Sequence, residues 1–514
     1  MARLGIDVGG TNTDAVLLDR GEVIAWAKHP TTPDVSSGIL AAVRDVLAQA
    51  PLAPPEIRAV MLGTTHFTNA VVQRRDLARI AVIRLGLPAT ASIPPLEDWP
   101  DDLRETVAEL AVILPGGHQF DGREIAPLDW QALEQLAGEL RRRGVGTAAV
   151  TAVFSPAVPT HEDAVAEFLT ARVPGLRVTR SREIGRIGLL ERENAAALNA
   201  ALVPLAEQTV RAFQQALSEL GLEAPLYLSQ NDGTLMTAEF AAHYPVLTFA
   251  SGPTNSMRGA AVLSGLRDAI VLDVGGTTTD GGALVSGFPR EASFAVMIGG
   301  VRTNFRMPDV VSIGLGGGSL VGPDGSTVGP QSVGYRLSSE ALVFGGSTLT
   351  ASDIAVAAGR ARFGDPSRVA HLPPSVVRRA LATIDQRLTE LVDSLKTTPA
   401  AVPVIVVGGG SVLVPDHLEG ASEVVRPPHA AVANAIGAAI AQVSGEIDRI
   451  VSLEGQTREA ALAAACADAR RAAVAAGADP ASVTIVEIEE IPIAYLPSNA
   501  VRVRVKAVGD LRGG

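Results

Sequence analysis

Leu4-Gly-Ile-Asp-Val-Gly-Gly-Thr-Asn-Thr-Asp14 near the start of the chain returns as Leu272-Asp-Val-Gly-Gly-Thr-Thr-Thr-Asp280. With Asp7 aligned on Asp273, the twelve residues Asp7 to Leu18 match Asp273 to Leu284 at eight positions. Each copy reads as a buried apolar strand ending in an acid, a Gly-Gly turn, hydroxyl residues and a second apolar strand. One copy alone would pass for an ordinary tight hairpin, because Asp-Gly and Gly-Gly pairs are common turns. Two copies in one chain point instead to a duplicated unit with a shared task.

The residue types suggest that task. Gly9-Gly10 and Gly275-Gly276 can take positive φ and let backbone N–H groups converge on an anion. Thr11, Asn12 and Thr13, like Thr277, Thr278 and Thr279, add side-chain donors. A polyphosphate suits two such turns facing each other, with Asp7 and Asp273 holding its Mg²⁺ through waters. Neither turn contains a lysine, so backbone donors, the cation and an arginine are expected to neutralise the phosphates. Asp14 and Asp280 either orient a nucleophile or simply bond their own turns.

Composition bounds the rest. A chain of 514 residues with 47% hydrophobic and 19% charged content has room for two to four globular domains. Its net charge of −12 argues against a general nucleic-acid or anionic-membrane partner. Only three lysines occur (Lys28, Lys396, Lys506), and no Gly-Lys-Ser/Thr sequence is present, which excludes a P-loop. One cysteine, Cys466, cannot build a disulfide framework, a multi-cysteine zinc site or an iron–sulfur cluster. The eight histidines form neither an HxH nor an HExxH pattern, so no hydrolytic metal centre is expected. No long apolar run marks a membrane span, and a cytoplasmic location is expected.

Along the chain, Glu22 to Lys28 reads as a third antiparallel strand and Ser36 to Gln49 as a helix. The strand Ile57 to Leu62 runs into Gly63-Thr-Thr-His-Phe-Thr-Asn69, and ends of strands in open α/β sheets are where ligands bind. His66 is there as a ligand contact or as a plain loop residue; Thr64, Thr65 and Asn69 serve a ligand or cap the next helix. The Pro-rich, acidic stretch up to about Pro115 reads as an insertion or covering loop. Strands and helices then alternate as in a mainly parallel sheet. Asn194 to Leu220 is helical with a break at Pro204. Val246 to Phe249 reads as a strand leading to the donors of Ser251-Gly252-Pro-Thr-Asn255. Gly314 to Ser319 suggests close backbone approach to a ligand, a gating loop, or a structural turn. The strand Val402 to Val407 ends in Gly408-Gly409-Gly410, where an adenine could lie against the backbone; a strand-to-helix turn is the alternative. Ala430 to Gln442 is a small-residue helix able to pack closely against another. The last strand, Ala500 to Ala507, alternates apolar and charged residues and should have one wet face.

Taken together, the repeated Asp-x-Gly-Gly-Thr hairpins resemble the two phosphate loops of the two-lobed actin/sugar kinase/Hsp70-type ATPase fold, an α/β fold of duplicated ribonuclease H-like domains. Gly408 to Gly410 looks like that fold's adenosine site and Ala435 to Ala438 like its second connecting helix. More specific stretches resemble the hydantoinase A/oxoprolinase family: Gly63 to Asn69, Ser251 to Pro253, Asp273 to Asp280, Gly314 to Ser319 and Ile491 to Pro497. The resemblance runs over nearly the whole chain. It implies an N-terminal ATPase lobe at 1–190, a second at 191–445 and a small C-terminal α+β domain at 446–514.

It also implies ATP and Mg²⁺ as cofactors and a chemistry in which ATP phosphorylates the amide oxygen of a lactam or cyclic imide for ring opening by water. Phosphate would be clamped by Gly9 to Thr13 and Gly275 to Thr278, and substrate held by Thr64, Thr65, His66, Asn69, Ser251 and Gly252. Such chains pair with a B-type subunit, and no B-like region is visible here; a homodimer also stays open. Related carboxylases apply the same activation to a ketone enol. A small-molecule kinase and a non-enzymatic ATPase switch are further alternatives on this fold.

Overall fold

The computed structural model describes residues 2–9, 12–32, 35–50, 52–292, 295–493 and 500–512. Both copies of the repeat fold as the pattern predicts. Ala2–Val8 pairs antiparallel with Asn12–Asp19, and Ala269–Val274 pairs antiparallel with Thr279–Val285. The registers coincide: Asp7 is opposite Asp14, and Asp273 is opposite Asp280. In each copy a further strand joins outside the hairpin, Glu22–Pro30 or Phe288–Pro289. A parallel strand flanks it inside, Ile57–Thr64 or Val402–Val407. Leu4, Ile6, Leu17 and Leu272 are fully buried, which is why these strands read as nearly continuous apolar runs.

The first repeat belongs to a nine-stranded sheet and the second to a six-stranded one. Two helices run between them, Ser251–Ser264 and Ala433–Ile440. They cross backbone against backbone: a Cβ on Gly437 would strike the carbonyl of Asn255, and one on Gly259 the carbonyl of Ala433. Gly5 likewise admits the carbonyl of Ala435 against the first strand. The small-residue run at 435–439 is therefore a packing surface.

A four-stranded, wholly parallel sheet stands beside the first (order Ala108–Pro115, Ile80–Leu87, Thr147–Ala152, Arg177–Arg180). The stretch before Pro115, expected as a covering loop, supplies its edge strand and the helix Asp101–Val107. Leu103 and Val107 are buried in that helix, so its acidic residues form only the solvent face. The helix Leu189–Glu219 continues through Pro204 without a break, because the burial of Ala195 to Val203 and Phe213 outweighs the one lost hydrogen bond. Pro245–Thr248 is a 3₁₀ turn where a strand was expected.

The sheets do not stop at the expected domain boundaries. Leu226–Ser229 and Thr234–Thr237, beyond residue 190, belong to the first sheet. The α+β unit at the C-terminus adds Gln442–Val451, Val501–Gly509 and Thr484–Pro492 to that same sheet, packed by the helix Arg458–Ala475. Its last strand has no wet face. Flanked on both sides by strands, it buries Arg504 and Lys506 to 5% and 4% exposure in ion pairs. No helix among the described residues is long and apolar enough to cross a membrane.

Candidate functional site

One helix holds both aspartates of the repeat. Adjacent residues of Ser251–Ser264 donate to them: Asn255 Nδ2 to Asp7 Oδ1 at 3.3 Å, and Ser256 Oγ to Asp273 Oδ2 at 2.5 Å. The second connecting helix adds Asn434 Nδ2 to Asp7 Oδ2 at 2.9 Å. Backbone fits around both carboxylates in the same way. A Cβ on Gly63 would strike Asp7, and one on Gly408 would strike Asp273. Gly63 lies directly opposite Asp7 in the parallel strand beside the first hairpin, whereas Gly408 follows Val407, the residue opposite Asp273, so it sits one position further along. Gly408 also has φ +86°, a left-handed conformation that suits glycine.

The electrostatics match this enclosure. Burial holds the Asp7 carboxyl up at about 6, with Asp14 adding to the effect and Asn255 and Asn434 opposing it. Asp273 is also held at about 6, chiefly by burial, against the hydrogen bond from Ser256. Asp273 keeps more of its surface in solvent than Asp7, which is 4% exposed, so solvent screens its shift more. Burial also raises Asp14 and Asp280. Asp14 and Asp273 act on Asp7, and Asp14 on Asp273, so three strands of two different sheets bring like charges together. Such a group is stabilised by a cation. The fit extends to a buried acceptor, Asn255 Oδ1, which has no protein partner.

A lysine does reach the first hairpin. Lys28 Nζ lies 2.6 and 2.7 Å from the two oxygens of Asp14 and also lowers the Asp273 carboxyl. Even counting across the Arg20-Gly21 turn puts Ala27 opposite Asp14. A bulge between Leu17 and Leu18 moves Lys28 there instead, which hid the pair from the sequence. Asn434 had a signal, as the single polar side chain in an otherwise apolar small-residue helix. Asp14 is thus an ion-paired group on the flank of Asp7, and Asp280 bonds Ser312.

The turns themselves are alike: Gly9 N–H donates to Asn12 O at 3.0 Å, and Gly275 N–H to Thr278 O at 2.9 Å. Gly10 and Thr11 lie outside the described residues. Gly9, Gly275 and Gly276 do not take the positive φ expected of them. In the second turn the carbonyls of Gly275 and Gly276 accept from Gly317 and Gly318 at 3.0 and 2.7 Å, and a Cβ on Gly316 would collide with Gly276 and Thr277. The Gly314 to Ser319 loop therefore packs on the second turn as a structural layer. Asn12 and Thr277 are partly exposed and Thr278 is exposed, whereas Thr13 is fully buried, its hydroxyl 3.5 Å from that of Thr31. Gly410 N–H donates to Val274 O at 2.7 Å, folding the Gly408 to Gly410 turn over the strand that carries Asp273. Gly409 faces open space.

The loop at 64–69 meets the same helix. Ser251 Oγ accepts from Thr64 N–H at 3.2 Å and donates to Thr64 O at 3.0 Å, and Gly252 lies against the Thr65 methyl. Thr64 Oγ1 accepts from His66 N–H at 3.1 Å in a local turn just ahead of the helix His66–Gln73, whose N-cap residue Thr65 makes no side-chain capping bond. Burial lowers the His66 pKa, leaving the ring neutral at pH 7. Asn69 is exposed, one turn along the helix from His66. Of the Ile491 to Pro497 stretch, Ala494 to Pro497 lie outside the described residues.

A histidine group stands apart from this site. His118, His161 and Glu124 gather at one end of the parallel four-stranded sheet, with the two rings 4.3 Å apart. His161 Nδ1 accepts from Gly117 N–H at 3.1 Å, so its Nε2, 3.2 Å from Glu124, carries the proton. A ring held in that tautomer has no lone pair on Nε2 for a metal.

Comparison with known proteins agrees with this architecture. The chain is 28% identical over 395 residues to caprolactamase subunit alpha of Pseudomonas jessenii, covering 70% of this chain and 54% of that one. It is 28% identical over 390 residues to the acetophenone carboxylase gamma subunit of Aromatoleum aromaticum, covering 69% and 53%. The chain thus spans about half the length of the curated relatives it matches. The crystal structure of the ATP-dependent caprolactamase from Pseudomonas jessenii shares the fold, with a TM-score of 0.76 at 19% identity over 99% of this chain and 87% of that one. Nucleotide-free acetone carboxylase shares it at a TM-score of 0.68 and 18% identity, over 99% and 88%. Residues 3–173 match the model of the hydantoinase/oxoprolinase N-terminal region and residues 192–384 that of hydantoinase/oxoprolinase itself, so the chain belongs to the hydantoinase/oxoprolinase family.

Proposed function

We propose that this chain is the ATP-using subunit of an amide-activating hydrolase, acting on a lactam or cyclic imide. One observation carries the reading: adjacent residues of a single helix, Asn255 and Ser256, hold the equivalent carboxylates Asp7 and Asp273 of two repeated turns. That arrangement suits a polyphosphate lying between the turns, with Asn12, Thr277 and Thr278 beside it and an adenine over Gly409 and Gly410. Asp7 and Asp273 would hold Mg²⁺ through its waters, and the cation would supply charge neutralisation for the phosphates. Lys28 adds positive charge from the side of Asp14.

Chemically, a lactam is a poor electrophile because resonance feeds its carbonyl. Attack of the amide oxygen on the γ-phosphorus forms an O–P bond and breaks the bond to the bridging oxygen, releasing ADP. Water then adds to the imidoyl carbon and the C–N ring bond breaks, leaving the ring nitrogen as an amine and the carbonyl as an acyl phosphate, which a second water hydrolyses to carboxylate and phosphate. The neutral His66 and Thr65, both partly exposed, stand where they could receive the ring, whereas Ser251 is fully buried with its hydroxyl spent on the Thr64 backbone. Completion of hydrolysis is assigned to a B-type partner, a reading supported by relatives that are named as subunits.

Activation of a ketone for carboxylation is the second reading, favoured by equal identity to a carboxylase subunit. ADP release by the purified chain, with and without a B-type subunit, separates the two when followed across lactams, hydantoins and ketones. Stimulation by lactams or hydantoins alone is expected. Stimulation by ketones alone would replace the hydrolase reading with the carboxylase one, and stimulation by sugars alone would overturn both.

A further inference from the structure

A cavity of about 800 Å³ opens where the first sheet, the four-stranded sheet and the C-terminal unit meet, and no residue of the two repeated Asp-x-Gly-Gly-Thr hairpins lines it. That volume suits an organic ligand of ordinary size. Part of its wall is apolar, from Leu235, Met236, Phe240 and Leu247. Three arginines, Arg186, Arg306 and Arg449, supply the most distinctive polar groups.

Each of those arginines has a buried nitrogen without an aligned acceptor: Nε of Arg186, Nε of Arg449, and all three nitrogens of Arg306. Arg306 does sit beside carboxylates, Glu446 at 2.6 Å and Glu291 at 3.2 Å, but these contacts leave its N–H groups unmatched in direction. The lining carboxylates are in the opposite condition. Asp232 takes Lys506 at 2.7 Å, and Asp448 takes Arg502 at 2.8 Å. Among the described residues, no carboxylate oxygen of the cavity wall is buried and unpartnered. Burial pushes the Glu446 carboxyl up to about 7 against the lowering pull of Arg306, with Glu291 and Asp232 adding to the rise. The wall thus has donors to spare and no matching surplus of acceptors. Leaving a buried charged donor unmatched is costly, and a planar anion answers a guanidinium in two directions at once.

We propose that this cavity binds a small organic carboxylate, its head at Arg306 and its aliphatic or aromatic body against Leu235, Met236 and Phe240. The cavity borders the ATP-site helix, since Thr254 Oγ1 donates to Asn231 O at 3.0 Å one residue before Asn255.

Calorimetric titration of the full chain with hexanoate, hexanol, hexylamine and inorganic phosphate tests this. Hexanoate should bind at one site, about tenfold or more tighter than the other three, as expected when a charge-assisted bond is lost. Arg306→Gln should weaken hexanoate by a similar factor. Because Arg306 also balances Glu446 and Glu291, a second variant is needed: Ala475→Trp, at an exposed wall position, should block binding while the melting temperature stays put. Hexylamine or hexanol binding as tightly as hexanoate would overturn the proposal, as would phosphate binding without hexanoate, no hexanoate binding, or hexanoate binding that Ala475→Trp leaves intact.

Discussion

Replacing Asn434 with leucine keeps nearly the same volume but removes the 2.9 Å donor to Asp7. Burial already holds Asp7 at about 6, and Asn434 is one of two amides that restrain the rise. A hydrogen bond to a charged group contributes about 1.5–3 kcal/mol. At about 1.4 kcal/mol per pH unit, its loss moves the carboxyl upward by roughly one to two units. If Asp7 must be ionised to hold Mg²⁺, activity falls as pH drops through its pKa. The acid limb of ATP turnover at limiting Mg²⁺ should therefore move from near 6 in the parent to roughly 7–8 in Asn434→Leu. Asp7, Asp14 and Asp273 interact, so the limb belongs to the group rather than to one side chain. ADP release measured across pH gives the answer. A variant that loses rate equally at every pH, with its limb unmoved, would refute the reasoning.

Stability should report the same carboxylates. Asp7 and Asp273 rise from 3.8 to about 6 on folding, so their contribution is fully present below the unfolded value and is lost as pH climbs through 6. Without Mg²⁺, Asp7→Asn should therefore raise the melting temperature near pH 7 and leave it unchanged near pH 4; an unchanged temperature near pH 7 would contradict the assignment. Gly437→Ala forces a methyl onto the Asn255 carbonyl, and a strain of about 1–3 kcal/mol should exceed the helix-propensity gain of about 1 kcal/mol. Its denaturation midpoint should fall along with ATP turnover, and a stabilised variant would argue against the close crossing. Arg84→Met strips the fully buried Glu193 of a partner at 2.6 Å and should cost about 3–5 kcal/mol by denaturant unfolding; a change under about 1 kcal/mol would show that Glu193 is neutral in the fold.

The hairpins were legible because everything that makes them is local: apolar strands, a Gly-Gly turn and an acid at a fixed place. The parallel strands beside them and the small-residue helix were legible for the same reason. What holds the two carboxylates was harder to see. Asn255 and Ser256 are 248 and 17 positions from their partners, and only the packing of two sheets brings them there. Lys28 was hidden by a one-residue bulge. The last strand misled because alternation normally marks a wet face, whereas here its charged residues pair inside with Asp232 and Glu291. The same buried charges built a cavity that no run of sequence announces. Glycine in the turns was also read for its φ freedom, when its use at Gly316 and Gly437 is to let backbones touch.

The central claim is that Asp7 and Asp273 serve one Mg²⁺–nucleotide site. Binding of Mn²⁺ with ATP, followed by electron paramagnetic resonance, tests it directly in the parent chain, Asp7→Asn and Asp273→Asn. The parent should bind Mn²⁺ in an ATP-dependent manner, and each single substitution should abolish that binding while the circular dichroism spectrum stays the same. A folded Asp7→Asn or Asp273→Asn chain that binds Mn²⁺ and ATP as the parent does would contradict the account.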